Sequence, residues 1–281
     1  MFEVREWTRE DTARFVRVPG ADDDKYSRGV VGLRTGSPAY PGAAVLGVEA
    51  AWRAGAGYVR YIGEGRAADA VLARRPETVV SPDIEGARVG AWVIGSGTSS
   101  EHRTEGEEEE LRQLLLGDEP VVVDAGALDL ALDAATAPVL LTPHLREFAR
   151  LQARAGMGPD VDADRAWSAA RAAEALETVV LLKGANTLIA SPDGAVLQVS
   201  GATGWLATAG TGDVLGGVLG TMLAGNPDAP LAEVAAAGAW LHGSAGRIAA
   251  GVDPERGRHG HPIVALDVAE ALPLAVADLL A

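Results

Sequence analysis

Residues 121–148 read VVVDAGALDLALDAATAPVLLTPHLREF, and they hold two unbroken apolar runs, VVV and VLL, each stopping abruptly at a polar residue, Asp124 and Thr142. An uninterrupted apolar run marks a strand buried on both faces, as in a parallel sheet covered by helices; a half-exposed antiparallel sheet alternates instead. The same signature recurs on both sides, in VVGLRTG (30–36), YVRYIG (58–63), TVVSP (78–82), AWVIGSG (91–97) and VVLLKG (179–184), with alanine- or leucine-rich amphipathic segments between them. This alternation predicts a three-layer α/β domain, a central mostly parallel sheet flanked by helices. One segment departs from the rhythm: NTLIASPDGAVLQVS (186–200) places two strand-like runs around SPDG, which predicts an added β-hairpin near the sheet edge.

Beyond that hairpin the sequence is helical in character. Gly212, Gly216 and Gly220 fall at four-residue spacing, so one face of their helix carries no side chains and can approach a neighbour closely. EGEEEELRQLLLGD (105–118) reads as a solvated helix with Leu111, Leu114 and Leu115 turned inward. No internal repeat or linker divides the chain, so residues 1–281 are expected to form a single domain, with 1–24 as an N-terminal extension.

Composition narrows the function. The formal net charge of −15, with no cluster of Lys and Arg, argues against a nucleic-acid partner. An anionic ligand must then be held locally, by backbone amides, helix N-termini or single basic side chains. Cysteine is absent and MFEVREWTREDTARFV carries charges where a signal peptide needs an apolar run, so a cytoplasmic setting is expected. No membrane span is expected either, because the most apolar stretch, LAEVAAAGAWLHGSAGRIAA (231–250), is interrupted by Glu233, His242 and Arg247.

In open parallel sheets ligands bind beyond the carboxyl ends of the strands, and the loops there are rich in glycine and polar residues. In ATAGTGDV (207–214), successive amides around Gly210, Thr211 and Gly212 can form an anion nest at a helix N-terminus. Asp213 in the first turn has two open readings: complement to the helix dipole, or base for a substrate hydroxyl beside a bound phosphoryl group. No G-x-x-x-x-G-K-[ST] occurs, and Gly210-Thr211-Gly212 lacks the third glycine of a dinucleotide fingerprint. In LTPHLREF (141–148), Thr142 is a candidate N-cap with Pro143 at the first helical position. His144 is a surface histidine or a substrate contact. Glu147 either complements the dipole or helps organise a hydrated magnesium ion. Lys183 either snorkels to solvent or contacts phosphate as a mobile point charge. Asp124 is a loop cap or a site carboxylate.

Taken together, KYSRGVVGLRTGSPAYPGAA, GSGT, VVVDAGAL, LTPHLREF, VVLLKGANTLIASPDG and GTGDVLGGVLG resemble the carbohydrate-kinase-like NAD(P)H-hydrate dehydratases, in that family's order, over roughly Lys25 to Ala250. The resemblance implies a ribokinase-like fold and ADP- or ATP-dependent repair of the S form of hydrated NADH or NADPH, with ADP preferred. It implies Asp213 as catalytic base, Ala43, Gly97 and His144 as contacts to the hydrated cofactor, and a nucleotide site lined by Lys183, Gly184, Ala185, Asn186 and Thr187. Gly210, Thr211 and Gly212 would hold the transferring phosphoryl group, and Mg²⁺ would arrive with the nucleotide, with Glu147 acting on it through water. A homotetramer is implied, as is functional pairing with a separate NAD(P)H-hydrate epimerase, since the epimerase domain often fused to this family is not seen ahead of Lys25. The pattern departs at Ala209 for glycine, at Ser96 for proline in GSGT, and at DAGALDLA, which lacks an asparagine usual after DA-x-x-L; that last departure leaves Asp124 outside the expected site. Two other functions share the motifs: a ribokinase-like kinase for a small vitamin-precursor alcohol, and a non-catalytic nucleotide-binding protein.

Overall fold

A computed structural model describes residues 3–133, 135–158 and 164–281. In chain order its elements are β1 (Val4–Glu6), α1 (Arg9–Ala13), β2 (Val30–Arg34), α2 (Pro41–Arg53), β3 (Tyr58–Ile62), α3 (Gly65–Arg74) and β4 (Val79–Ser81). There follow β5 (Ala91–Ile94), α4 (Glu105–Leu115), β6 (Val121–Val123), β7 (Val139–Leu141), α5 (Leu145–Arg154), α6 (Arg165–Leu176) and β8 (Val179–Leu182). The chain ends with β9 (Thr187–Ala190), β10 (Val196–Val199), α7 (Thr211–Gly225), α8 (Leu231–Ala250), the short β11 (Val252–Asp253) and β12 (Arg258–His259), and α9 (Ala265–Leu280).

One ten-stranded sheet runs in the order β1-β10-β9-β8-β7-β6-β5-β2-β3-β4. Every neighbour pair in it is parallel except those made by β9, which runs against both β8 and β10. The SPDG hairpin is therefore present as β9–β10, closed by Ser191 N–H donating to Ala195 O and Gly194 N–H to Ser191 O. It is not the sheet's edge. β1, from the segment expected to be only an extension, pairs with β10 outside it, and Trp7 just beyond β1 is 3 % exposed. Three residues with no apolar run of their own gave no strand signal; their ladder comes from β10.

The continuous apolar strands divide their side chains between two cores, as a period of two demands. Val31, Leu33, Val59, Val93, Val122, Leu140 and Leu181 point to one face and pack under α2, α7, α8 and α9. Ile62, Ile94, Val121, Val123, Leu141, Val180 and Leu182 point to the other and pack under α4, α5 and α6. α4 buries Leu111, Leu114 and Leu115 as its spacing predicts, and a capping box between Thr104 and Glu107 starts it.

α7 lies directly on the sheet. A Cβ on Gly216 would sit 3.2 Å from Val93 Cγ1, and one on Gly220 would sit 2.5 Å from Val93 Cγ2 and 2.9 Å from Val31 Cγ1. Gly217, one residue along, faces α2, where a Cβ would run into the Gly47 carbonyl and Ala50. The bare face therefore meets strands, and the close helix–helix approach uses a glycine outside the four-residue series. Gly212, the first of that series, packs against nothing apolar and opens onto the sheet's carboxyl edge.

On α2, Glu49 is fully buried and ringed by Arg53 at 3.1 Å, Arg74 at 3.3 Å and Arg75, while Arg74 continues to Glu270 on α9 at 2.6 Å. Burial opposes its charge, but the hydrogen bonds from Arg75, Arg74 and Arg53 hold its carboxyl below the usual range.

Candidate functional site

Four adjacent strands, β5 to β8, deliver Ser96, Asp124, Thr142 and Lys183 to one point at their carboxyl ends. Asp124 is at the centre, 5 % exposed. Its Oδ1 accepts from Lys183 Nζ at 2.7 Å and from Thr142 Oγ1 at 3.0 Å, and its Oδ2 accepts from Ser96 Oγ at 3.1 Å. A carboxylate this deep is stable as an anion only when its lone pairs are satisfied and a cation is close, and both conditions hold here. Asp124, which the expected site left out, thus stands at the centre of the cluster that holds Lys183.

Above this cluster stands the first turn of α7. Gly210 caps it with φ of 90°, a left-handed conformation that glycine adopts without strain, and no side chain caps the helix. The first N–H to bond back is that of Val214, to Gly210 O at 3.1 Å. The amides of Thr211, Gly212 and Asp213 lie ahead of it and form the open, partially positive end of the helix. Thr211 is tied down, its hydroxyl facing the carbonyls of Leu206 at 2.9 Å and Thr208 at 3.0 Å. A Cβ on Gly212 would lie 3.6 Å from Lys183 Nζ and 4.0 Å from Asp124 Oδ2, so the absence of a side chain keeps the path between the ammonium and the amides clear.

Asp213 projects into this setting. Burial, and then the negative charge of Asp124, push its carboxyl up to about 6, with Lys183 and the nearby Ser96 hydroxyl pulling the other way. Such a group is ionised at neutral pH yet basic enough to take a proton in a transition state. His242, on α8 behind the turn, is 9 % exposed; its Nε2 lies 3.0 Å from Thr211 O, and burial brings its imidazole down to about 4.

A cavity of about 380 Å³ opens beside the turn, lined among others by Lys183, Gly184, Ala185, Thr187, Thr211 and Gly212. Two residues expected with these stand apart. Asn186 does not line the cavity; its carbonyl accepts from Arg165 Nη1 at 3.4 Å. Gly210 turns its Cα toward Leu46 and Ala265. Arg165 also donates to Lys183 O at 3.3 Å and fills the space over Gly184, bracing the loop between β8 and β9. His144 lines this same cavity, whereas Ala43 and Gly97 pack on each other at the ends of β2 and β5. Beside that pair a second hollow of about 410 Å³ is lined by Arg34, Tyr40, Thr98, His102 and Arg103. The three residues expected to touch the hydrated cofactor therefore straddle Asp124 in the sheet order.

The cap of α5 differs from the sequence expectation. Thr142 faces Asp124, Pro143 precedes the helix, and the N-cap is His144, whose Nδ1 accepts from the amides of Arg146 at 3.1 Å and Glu147 at 3.4 Å. Glu147 Oε2 accepts in return from the His144 amide at 2.8 Å. A ring acceptor can replace the hydroxyl of a usual cap, and the deeper demand of Asp124 for donors takes Thr142 away. Among the described residues no trio of His, Asp or Glu is placed to hold a metal ion.

The sequence signal for Asp124 and Ser96 was their place after apolar strands; that they share hydrogen bonds depends on sheet order, which no local pattern encodes. His242 and Arg165 carried no signal, since each reaches the site from a separate helix.

The sequence matches the family described as NAD(P)H-hydrate dehydratase over residues 31–254. It is 45 % identical over 221 residues to the bifunctional NAD(P)H-hydrate repair enzyme Nnr of Mycobacterium tuberculosis H37Rv, covering 76 % of this chain and 45 % of that one. It is 37 % identical over 238 residues to the ADP-dependent (S)-NAD(P)H-hydrate dehydratase of Neisseria meningitidis serogroup B, covering 80 % and 78 %. The chain spans about half the length of the bifunctional relatives it matches. The crystal structure of ADP/ATP-dependent NAD(P)H-hydrate dehydratase from Bacillus subtilis, co-crystallised with ATP and Mg²⁺, superposes with a TM-score of 0.85 at 28 % identity, covering 99 % of this chain and 100 % of that one.

Proposed function

The chain belongs to the NAD(P)H-hydrate dehydratase family, and from that premise we propose that it uses ADP or ATP to return the S form of hydrated NADH or NADPH to the reduced cofactor. The observation that carries this reading is Asp213 in the first turn of an uncapped helix, its carboxyl raised to about 6 against the pull of Lys183, with a cavity lined by Lys183, Thr211 and Gly212 beside that turn.

Hydroxide is a poor leaving group, so the ring hydroxyl must first be converted into a phosphate ester. Asp213 accepts the hydroxyl proton as the oxygen attacks the terminal phosphorus, the bond from that phosphorus to the nucleotide breaks, and AMP or ADP departs. The open amides of Thr211, Gly212 and Asp213, together with Lys183, face the charge spread over the transferring phosphoryl oxygens. Phosphate then leaves with the electrons of the ring C–O bond while the neighbouring carbon gives up a proton, and the ring double bond re-forms. Lys183, Gly184, Ala185 and Thr187 supply the nucleotide wall; Ala43, Gly97 and the hollow beyond them leave room on the other side of Asp124 for the extended dinucleotide.

Magnesium fits as a companion of the nucleotide rather than a resident ion. No described trio of side chains can hold it, and Glu147 already accepts from the His144 amide, so phosphate and water are its main ligands and Glu147 acts through water. ADP as the preferred donor rests on the Neisseria relative, whose name specifies it. The names of the bifunctional relatives support pairing with an epimerase activity. A cytoplasmic homotetramer completes the reading; no described helix is long and apolar enough to cross a membrane.

Supplying hydrated NADPH with ADP or ATP and magnesium tests the proposal. Reduced-nicotinamide absorbance returns if it is right. A folded protein that restores none with either nucleotide overturns it, and accumulation of a stable phosphorylated alcohol would instead identify a kinase. Light scattering on the purified chain decides the tetramer.

A further inference from the structure

His242 stands in the middle of α8, among Ala235, Ala236, Leu241 and Ala245, and it is the group behind the phosphate-binding turn rather than in it. Its Nε2 lies 3.0 Å from the carbonyl oxygen of Thr211. A carbonyl only accepts, so the hydrogen sits on Nε2, and the neutral ring leaves Nδ1 as an acceptor. The carbonyl of Thr211 belongs to the same peptide unit as the N–H of Gly212, one of the three amides that open toward the ligand. A hydrogen bond donated to one end of a peptide polarises the group and strengthens the donor at its other end.

We propose that His242 is a positioning residue for the phosphate-binding turn: by donating Nε2–H to Thr211 O it fixes the 211–212 peptide and sharpens the Gly212 amide toward the terminal phosphoryl group. This rests on the reading of that turn as a phosphoryl site. Two further features support it. The ring lines the same cavity as Lys183, Thr211 and Gly212, so the bond it makes to Thr211 O is formed at the wall of the proposed nucleotide site. The Thr211 hydroxyl faces Leu206 O and Thr208 O, so the His242 bond to Thr211 O is a second, separate tie on the first residue of α7. Burial keeps the imidazole neutral, and the Lys183 ammonium adds to this by disfavouring a second positive charge.

The test compares ADP with AMP, which lacks the terminal phosphoryl group, by calorimetry on the full chain. His242→Leu fills the volume without a donor, while His242→Gln places an amide N–H near the position of Nε2. The expected result is ADP binding weakened about tenfold in His242→Leu, AMP binding changed less than about twofold, and ADP binding in His242→Gln within about threefold of wild type. Equal losses for ADP and AMP, no loss in His242→Leu, or a His242→Gln variant as weak as His242→Leu would each overturn the proposal. If His242→Leu does not fold, the His242→Gln affinities and the ring's ¹⁵N spectrum in the wild type decide, since a neutral ring protonated on Nδ1 is incompatible with the role. A wild type that binds ADP but leaves the hydrate untouched overturns the function alone, and the affinities still settle His242.

Discussion

Asp213 and His242 sit on either side of one turn and are displaced in opposite directions relative to solution, the acid upward to about 6 and the imidazole downward to about 4. For catalysis the first matters directly. On the proposed mechanism, in which Asp213 acts on the proton and not on binding, Asp213→Asn should cut kcat about a thousandfold while leaving KM for the nucleotide nearly unchanged. The wild-type rate should fall with unit slope as pH drops below about 6, where the base is protonated. For stability the two groups oppose each other. The folded chain holds an extra proton on Asp213 between the ordinary carboxyl value near ~4 and about 6, so that contribution is present at low pH and lost as pH rises. It lacks a proton on His242 between about 4 and the ordinary value near ~6.5, so that contribution is present at neutral pH and lost as pH falls. Asp213→Asn should accordingly raise stability at pH 7, on the order of 1–2 kcal/mol after allowance for partial exposure, and should steepen acid unfolding. Urea titrations at pH 4.5 and 7 check both; a variant no more stable than wild type at pH 7 refutes the account of Asp213 as a group held against its solvation.

At the scale of elements, α7 shows what glycine spacing can and cannot say. The four-residue spacing correctly signals a helix with a bare face, but whether that face meets a strand or a helix depends on tertiary order, and Gly217, outside the series, makes the backbone-to-backbone approach to α2. Gly217→Ala should cost about 1–3 kcal/mol, because the new methyl meets the backbone of α2, which cannot rotate away; a melting temperature within one degree of wild type would show that the helices separate freely. The α5 cap is a similar case. Local pattern chose Thr142 because hydroxyls are good caps, and the structure uses His144 because the buried carboxylate of Asp124, at the end of the preceding strand, needs the hydroxyl more.

In the whole molecule the ribokinase-like α/β fold implied by the resemblance is the one the chain adopts, and it was legible because parallel strands buried on two faces must be continuously apolar. Strand order was not legible: it brings Ser96, Asp124, Thr142 and Lys183 together from positions spread over almost ninety residues. β1 was not legible either, since three exposed residues owe their conformation to a partner. The ion cluster at Glu49 is a third long-range feature, joining α2, α3 and α9. Glu49→Gln takes the shared buried anion from three guanidinium groups, leaving Arg74 with Glu270 and Arg75 with Glu77, and should destabilise the fold by about 3–5 kcal/mol, measured by chemical denaturation. The depressed carboxyl of Glu49 stabilises above its ordinary value near ~4.3 and loses that contribution as pH falls, so the variant's deficit should shrink in acid.

The seating of the bare glycine face of α7 directly on the Val31 and Val93 side chains of β2 and β5 bears on accuracy of placement. A helix resting on long side chains inherits their rotamer freedom as positional noise, whereas one whose backbone rests on β-branched valines, stiff at χ1, inherits little beyond the small fluctuations of the sheet. On the proposed role of Asp213 as base, the reference point for its carboxylate is thus the sheet itself, while the hollow lined by Tyr40, Thr98 and His102 is built from loops that α7 does not rest on.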